Sequence, residues 1–180
     1  DWSSDVCSSD LSTIHHALEK PCAIGAIRKE SKFFVVQDAK KLLYYFASVR
    51  SLERDVLARV SVDTSVQELE GLALPQSVYA CYSAASRILG EPPADYNTVY
   101  YYIPKQELPA FRKRFPSQRD ASRNAICALA LSPGMERYGP FTTPIQTFVD
   151  CWNLHDWYAK DFCDALEKTF PFSSHNGLLP

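Results

Sequence analysis

Chemistry in this chain has to come from a small set of groups, and the most concentrated of them is cationic. Residues 12–54 hold eight basic side chains (Lys20, Arg28, Lys29, Lys32, Lys40, Lys41, Arg50 and Arg54) against four acids, a charge of +4 in a chain whose net charge is −2. Cations gathered at one end of an otherwise mildly acidic body point to an anionic partner for that end. His15 and His16 could in principle ligate a metal. Neighbours on a helix project in different directions, so they read as a surface pair, and no metal site or cofactor is expected. Cys151 and His155, four residues apart, could meet as nucleophile and base. The run Asn153-Leu154-His155-Asp156 reads instead as a break between two helices.

Other catalytic arrangements are absent. Two-metal phosphoryl transfer would need a Gly-Ser turn followed by paired carboxylates, and no such Asp-x-Asp occurs. Asp63, Glu68 and Glu70 read as a solvated helix start. No GxxxxGK[ST] or GxGxxG phosphate loop is present, and no GxSxG elbow. Trp152 and Trp157 read as core or rim aromatics rather than platforms for stacked bases. Beyond Cys7, the cysteines (Cys22, Cys81, Cys127, Cys151 and Cys163) are odd in number and never spaced CxxC, which excludes a zinc ribbon or a thioredoxin-like pair. Cys81 and Cys127 sit in apolar runs and read as small buried hydrophobes. A reducing cytoplasm and a non-enzymatic role are the expectations.

The elements that must position these groups can be read from periodicity. The chain has 180 residues, 46% of them hydrophobic, enough for a packed core, and no apolar run of membrane-spanning length. Ser12 is placed to cap a short helix carrying Ile14, Ala17 and Leu18, with Pro21 stopping it. Residues 23–27 and 33–36 read as two strands joined by the charged turn 28–32, a hairpin. Asp38 can cap a helix through Arg50 with Leu42, Leu43, Phe46 and Ala47 on one face. Val56–Val62 reads as a strand, and Thr64 with Gln67 as a capping box for a helix over residues 64–72. A strand is expected at 77–81, then a helix at 83–89 closed by Gly90. Thr98–Ile103, β-branched and aromatic throughout, is the strongest strand. A basic helix over 105–115 and an apolar strand over 124–131 follow. Thr143 caps a helix with Pro144 at its first position and Ile145, Phe148 and Val149 along it. A last helix, 156–170, turns Ala159, Phe162, Cys163 and Leu166 inward. Alternating strands and helices give an α/β (mixed α+β) class.

Two resemblances add to this. The short helix followed by a hairpin with a basic tip resembles the second half of a winged helix–turn–helix. In that family the helix enters the major groove and the wing follows the phosphate backbone. The resemblance implies DNA contacts from Thr13, His15, His16 and Lys20 on the helix, and phosphate neutralisation by Arg28, Lys29 and Lys32. The residues alone also fit an ordinary solvated hairpin with a charged turn. Further on, Tyr79-Ala80-Cys81-Tyr82-Ser83-Ala84-Ala85 resembles the segment that opens the C-terminal domain of AbiEi-like antitoxins. The aromatic strand Val99-Tyr100-Tyr101-Tyr102-Ile103 follows in the same order. Thr143-Pro144-Ile145-Gln146-Thr147-Phe148-Val149-Asp150 and the helix around Tyr158-Ala159-Lys160-Asp161-Phe162 complete the match over residues 78–168. The chain departs from the family at Tyr82, where Gly is frequent, and at Thr147 and Cys151, where Leu is. Its matched residues are structural: Ser83 and Thr143 as caps, Pro144 and Gln146 as setting a helix start, Asp150 closing the segment.

The resemblance implies a DNA-binding transcriptional repressor and antitoxin of a type IV (abortive infection) toxin–antitoxin system. Its partners would be promoter DNA and a nucleotidyltransferase-type toxin. A diverged nucleotidyltransferase-like enzyme, or an interaction domain without DNA binding, are the alternatives. Residues 1–11, DWSSDVCSSDL, resemble one reading frame of a sequencing-library adapter. The expected organisation is therefore an adapter-derived stretch (1–11), a partial winged-helix domain with a connecting helix (12–54), an α/β C-terminal domain (55–170) and a frayed tail (171–180).

Overall fold

The structure is a computed structural model that describes residues 8–116 and 124–172. Most of the adapter-like stretch, with Cys7, and most of the tail lie outside the described residues. The chain is an α/β protein and divides into two compact units between Val49 and Arg50.

The first unit is helix, hairpin, helix. Helix α1 spans Ser8–Ala23. Ser12 therefore lies inside it rather than at its cap, and Pro21 does not end it. A proline removes one backbone donor, here the one that would reach the Ala17 carbonyl. The turn survives because its neighbours close around the gap. Ile24 N–H donates to the Lys20 carbonyl at 3.0 Å and Ala26 N–H to the Pro21 carbonyl at 2.9 Å. The helix is released at Gly25, whose φ of +70° is the left-handed conformation that favours glycine. Strands β1 (Ile27–Lys29) and β2 (Phe34–Val36) pair antiparallel, Ile27 opposite Val36 and Lys29 opposite Phe34. The hairpin is thus shorter and later than the apolar runs indicate: Ala23 ends the helix and residues 24–26 form the turn after it, while Arg28 and Lys29 belong to a strand. Helix α2 (Ala39–Val49) begins at Asp38, whose Oδ1 accepts from Lys41 N–H at 2.8 Å. Leu43 and Ala47 are buried, but Phe46 is exposed.

The second unit is a four-stranded sheet with helices on both faces. Strands β3 (Val56–Val62), β6 (Asn124–Ala130), β5 (Thr98–Ile103) and β4 (Val78–Ala80) lie in that spatial order. β5 and β6 run parallel at the centre, and both outer pairings are antiparallel. All six residues of β5 are buried, as a strand covered on both faces must be. Val99, Tyr101 and Ile103 point to one face with Val60, Val62, Ile126 and Ala128. Leu69 of α3 (Val66–Gly71) and Phe111 of α5 (Leu108–Arg114) cover them. Tyr100 and Tyr102 point to the other face. There Tyr100 meets Tyr82 of α4 (Cys81–Leu89), and Tyr102 bonds Asp150 of α6 (Pro144–Trp152). Helix α7 (Ala159–Thr169) packs on the same side, with Ala159, Phe162, Cys163 and Leu166 buried as its spacing requires.

Two caps differ from the expected residues. The capping box before α3 is Ser65 with Glu68, not Thr64 with Gln67. The reason is local: Val66 is the first helical residue, so the residue directly before it holds the cap. Ser83 is not a cap either. Strand β4 runs into α4 with no loop, Ala80 stands at the N-cap, and Cys81 turns the chain at a φ of +50°. Gly90 closes α4 at a φ of +88°, and Thr143 caps α6, its Oγ1 accepting from Gln146 N–H at 3.3 Å with Pro144 next.

Candidate functional site

The first unit sets its cations on adjoining elements. Thr13, His15, His16 and Lys20 on α1 and Arg28, Lys29 and Lys32 on and beyond β1 are all exposed. The hairpin follows α1 after three residues, so both groups belong to one continuous piece of structure. Arg28 is partly occupied, its Nε lying 3.0 Å from Glu30 Oε1. Phe33, directly after Lys32, and Phe34, the first residue of β2, are exposed as well. The histidines are closer in purpose than their adjacency suggests. His15 Nδ1 lies 3.4 Å and His16 Nδ1 3.3 Å from the same Glu19 Oε1. Although the two rings point apart, at 81° to one another, Glu19 one turn on brings both to one carboxylate. Among the described residues these three present potential metal-ligating atoms within 4.8 Å of one another, fully on the surface.

The second unit is organised around Asp150, which is completely buried. Its Oδ1 accepts from the Tyr102 hydroxyl at 3.0 Å and from Gln146 Nε2 at 2.8 Å. Arg50 Nε approaches the same oxygen to 3.5 Å without closing a hydrogen bond. The guanidinium donates instead to the Tyr102 hydroxyl at 2.8 Å and to Asp55 Oδ2 at 2.7 Å. Asp150 Oδ2 has no hydrogen-bond partner among the described residues. Burial pushes the Asp150 carboxyl up to about 7; Arg50, Gln146 and Tyr102 oppose the shift without overcoming it. A carboxyl with no exposed surface cannot meet a substrate. Its chemistry is to tie the segment after α2, the central strand and α6 together. Gln146 thus does more than begin a helix, and Arg50 and Tyr102 are the partners that sequence reasoning missed. They stand 100 and 48 positions from Asp150 and share no local pattern with it.

The groups considered for catalysis do not assemble. Cys151 is fully buried, and burial, with Cys163 and Asp150 nearby, pushes its thiol well above the ordinary value. Helix α6 ends at Trp152, so His155 lies beyond the break and not one turn along. Cys81 and Cys127 are buried, and burial pushes both thiols up. Trp152 and Trp157 are rim residues rather than core, Trp157 being 82% exposed. No helix is long and apolar enough to cross a membrane among the described residues. No protein-family model, curated protein or solved structure matches the chain.

Proposed function

We propose that the chain is part of a cytoplasmic, non-enzymatic DNA-binding repressor and antitoxin of a type IV toxin–antitoxin system. In this reading α1 and the β1–β2 hairpin meet promoter DNA as a recognition helix and wing. The second unit carries the antitoxin role toward a nucleotidyltransferase-type toxin. The observation that carries the reading is the exposure of Thr13, His15, His16, Lys20, Arg28, Lys29 and Lys32 on one helix and the hairpin that follows it. Cations so placed neutralise phosphates and supply affinity with little sequence information, while the helix reads base edges.

The test is the triple variant Arg28→Ala/Lys29→Ala/Lys32→Ala, measured by fluorescence anisotropy on several labelled duplexes. Binding to every duplex should weaken by about tenfold or more and by similar factors, because phosphate contacts do not read sequence. His16→Ala should act unevenly across duplexes. Unchanged binding in the triple variant would remove the hairpin from the interface.

A further inference from the structure

The second unit also holds a cleft that neither the sheet nor the Asp150 cluster uses. It has a volume of about 290 Å³, at the small end for ligand sites, and is lined by Glu70, Tyr79, Ser83, Ser86, Arg87 and Phe141. Ser83 is 5% exposed and, although it sits beside Tyr96, its hydroxyl makes no hydrogen bond of normal geometry. A buried hydroxyl without a partner is unfavourable, and a ligand that bonds it removes that cost.

Opposite charges face the same space. Glu70 and Arg87 both line the cleft, and no ion pair joins them among the described residues. The Glu70 side is fixed from two directions. Its Oε1 accepts from the Tyr96 hydroxyl at 2.6 Å, and the Tyr79 hydroxyl donates to its backbone carbonyl. The Ser86 hydroxyl donates to the Tyr82 carbonyl at 2.8 Å, which leaves its oxygen free to accept. The wall is aromatic, Tyr79 and Phe141 stacking with centroids 4.9 Å apart.

We propose that this cleft binds a small zwitterion, an α-amino acid with an apolar or aromatic side chain. Its carboxylate meets Arg87 and, once the Ser83 side chain turns from its buried position toward the cleft, the Ser83 hydroxyl; its ammonium meets Glu70 and Ser86, and its side chain lies on Tyr79 and Phe141. A phosphate ester fits less well, because its second negative charge would face Glu70 with one arginine to balance it.

Isothermal titration of the whole chain with L-phenylalanine and L-leucine tests this, with 3-phenylpropionate and phenethylamine as analogues lacking one charge each. At least one amino acid should bind, and each single-charge analogue should bind at least tenfold more weakly. Ser83→Ala and Arg87→Ala should each weaken the amino acid at least tenfold; Arg87→Ala should leave the chemical unfolding midpoint within error of the parent, and Ser83→Ala, which removes a buried hydroxyl without a partner, should not lower it. Absence of heat with both amino acids at millimolar concentration would overturn the proposal. So would analogues that bind as tightly as the zwitterion, or binding unaffected by both substitutions.

Discussion

At pH 8, where Asp150 is ionised, Arg50→Ala should lower the unfolding free energy of the second unit by about 3–5 kcal/mol, the range seen when one member of a buried ion pair is removed. Arg50 is 19% exposed at its side chain and is shared between Asp55, the Tyr102 hydroxyl and Asp150. Without it, Asp150 keeps only the neutral donors Tyr102 and Gln146, and Asp55 loses its partner. Arg50→Lys should restore part of this, because a single guanidinium nitrogen, Nη2, donates to both Asp55 and the Tyr102 hydroxyl, and one ammonium can donate to two acceptors. Urea unfolding followed by tryptophan emission is suited to this, since Trp152 and Trp157 both lie in the second unit. Arg28→Ala is the internal control: Arg28 is exposed, with a single surface carboxylate, and its loss should change stability by no more than about 0.5 kcal/mol. A loss below about 1 kcal/mol for Arg50→Ala would mean that the cluster does not hold the unit together.

The same cluster gives the protein a pH dependence of defined sign. Asp150 titrates at about 7 in the folded chain, against roughly 3.9 for an unfolded aspartate. The folded state therefore holds this proton more tightly. Its contribution is fully present below about pH 4 and is lost as pH rises through 7. A shift of about three pH units corresponds to about 4 kcal/mol across that window. Asp150→Asn, which cannot ionise, should remove this slope. Relative to the parent it should gain up to about 4 kcal/mol between pH 4 and pH 7 and little more above. Every other carboxylate is common to both proteins, so the difference between the two curves isolates Asp150. Parallel curves would show that Asp150 is ionised in the folded state throughout the window.

What the sequence made legible is the part of the structure governed by neighbours along the chain. β5 is bounded at Thr98 and Ile103 as its β-branched and aromatic run requires, and the four inward residues of α7 follow from helical spacing. The Thr143 cap and the Gly90 stop depend on a few adjacent residues and are where expected. The errors arise where packing or a distant partner decides. Pro21 stays inside α1 because it is buried and because Lys20 and its own carbonyl find later donors. Ser83 looks like a cap until β4 is seen to pass directly into α4, which places it a turn too late and leaves its hydroxyl buried beside a cleft. Arg50 falls among the basic N-terminal residues by position, yet its charge pairs with Asp55 and Asp150 in the second unit and does not belong to the exposed set. For the proposed interface, residue types and spacing marked the groups, and the structure adds their exposure, the Arg28–Glu30 pair and the convergence of His15 and His16 on Glu19.

DNA binding through the first unit is most directly tested by the salt dependence of the affinity of the parent chain and of the Arg28/Lys29/Lys32 triple alanine variant for one duplex. Neutralising three phosphates contributes about −2.7 to the slope of log affinity against log salt, so affinity should fall at least roughly fortyfold between 50 and 200 mM salt. The triple variant should lose about three units of slope and bind more weakly at every salt concentration. Binding that is absent or insensitive to salt, or a triple variant with the parent's slope, would contradict the assignment of this helix and hairpin to DNA.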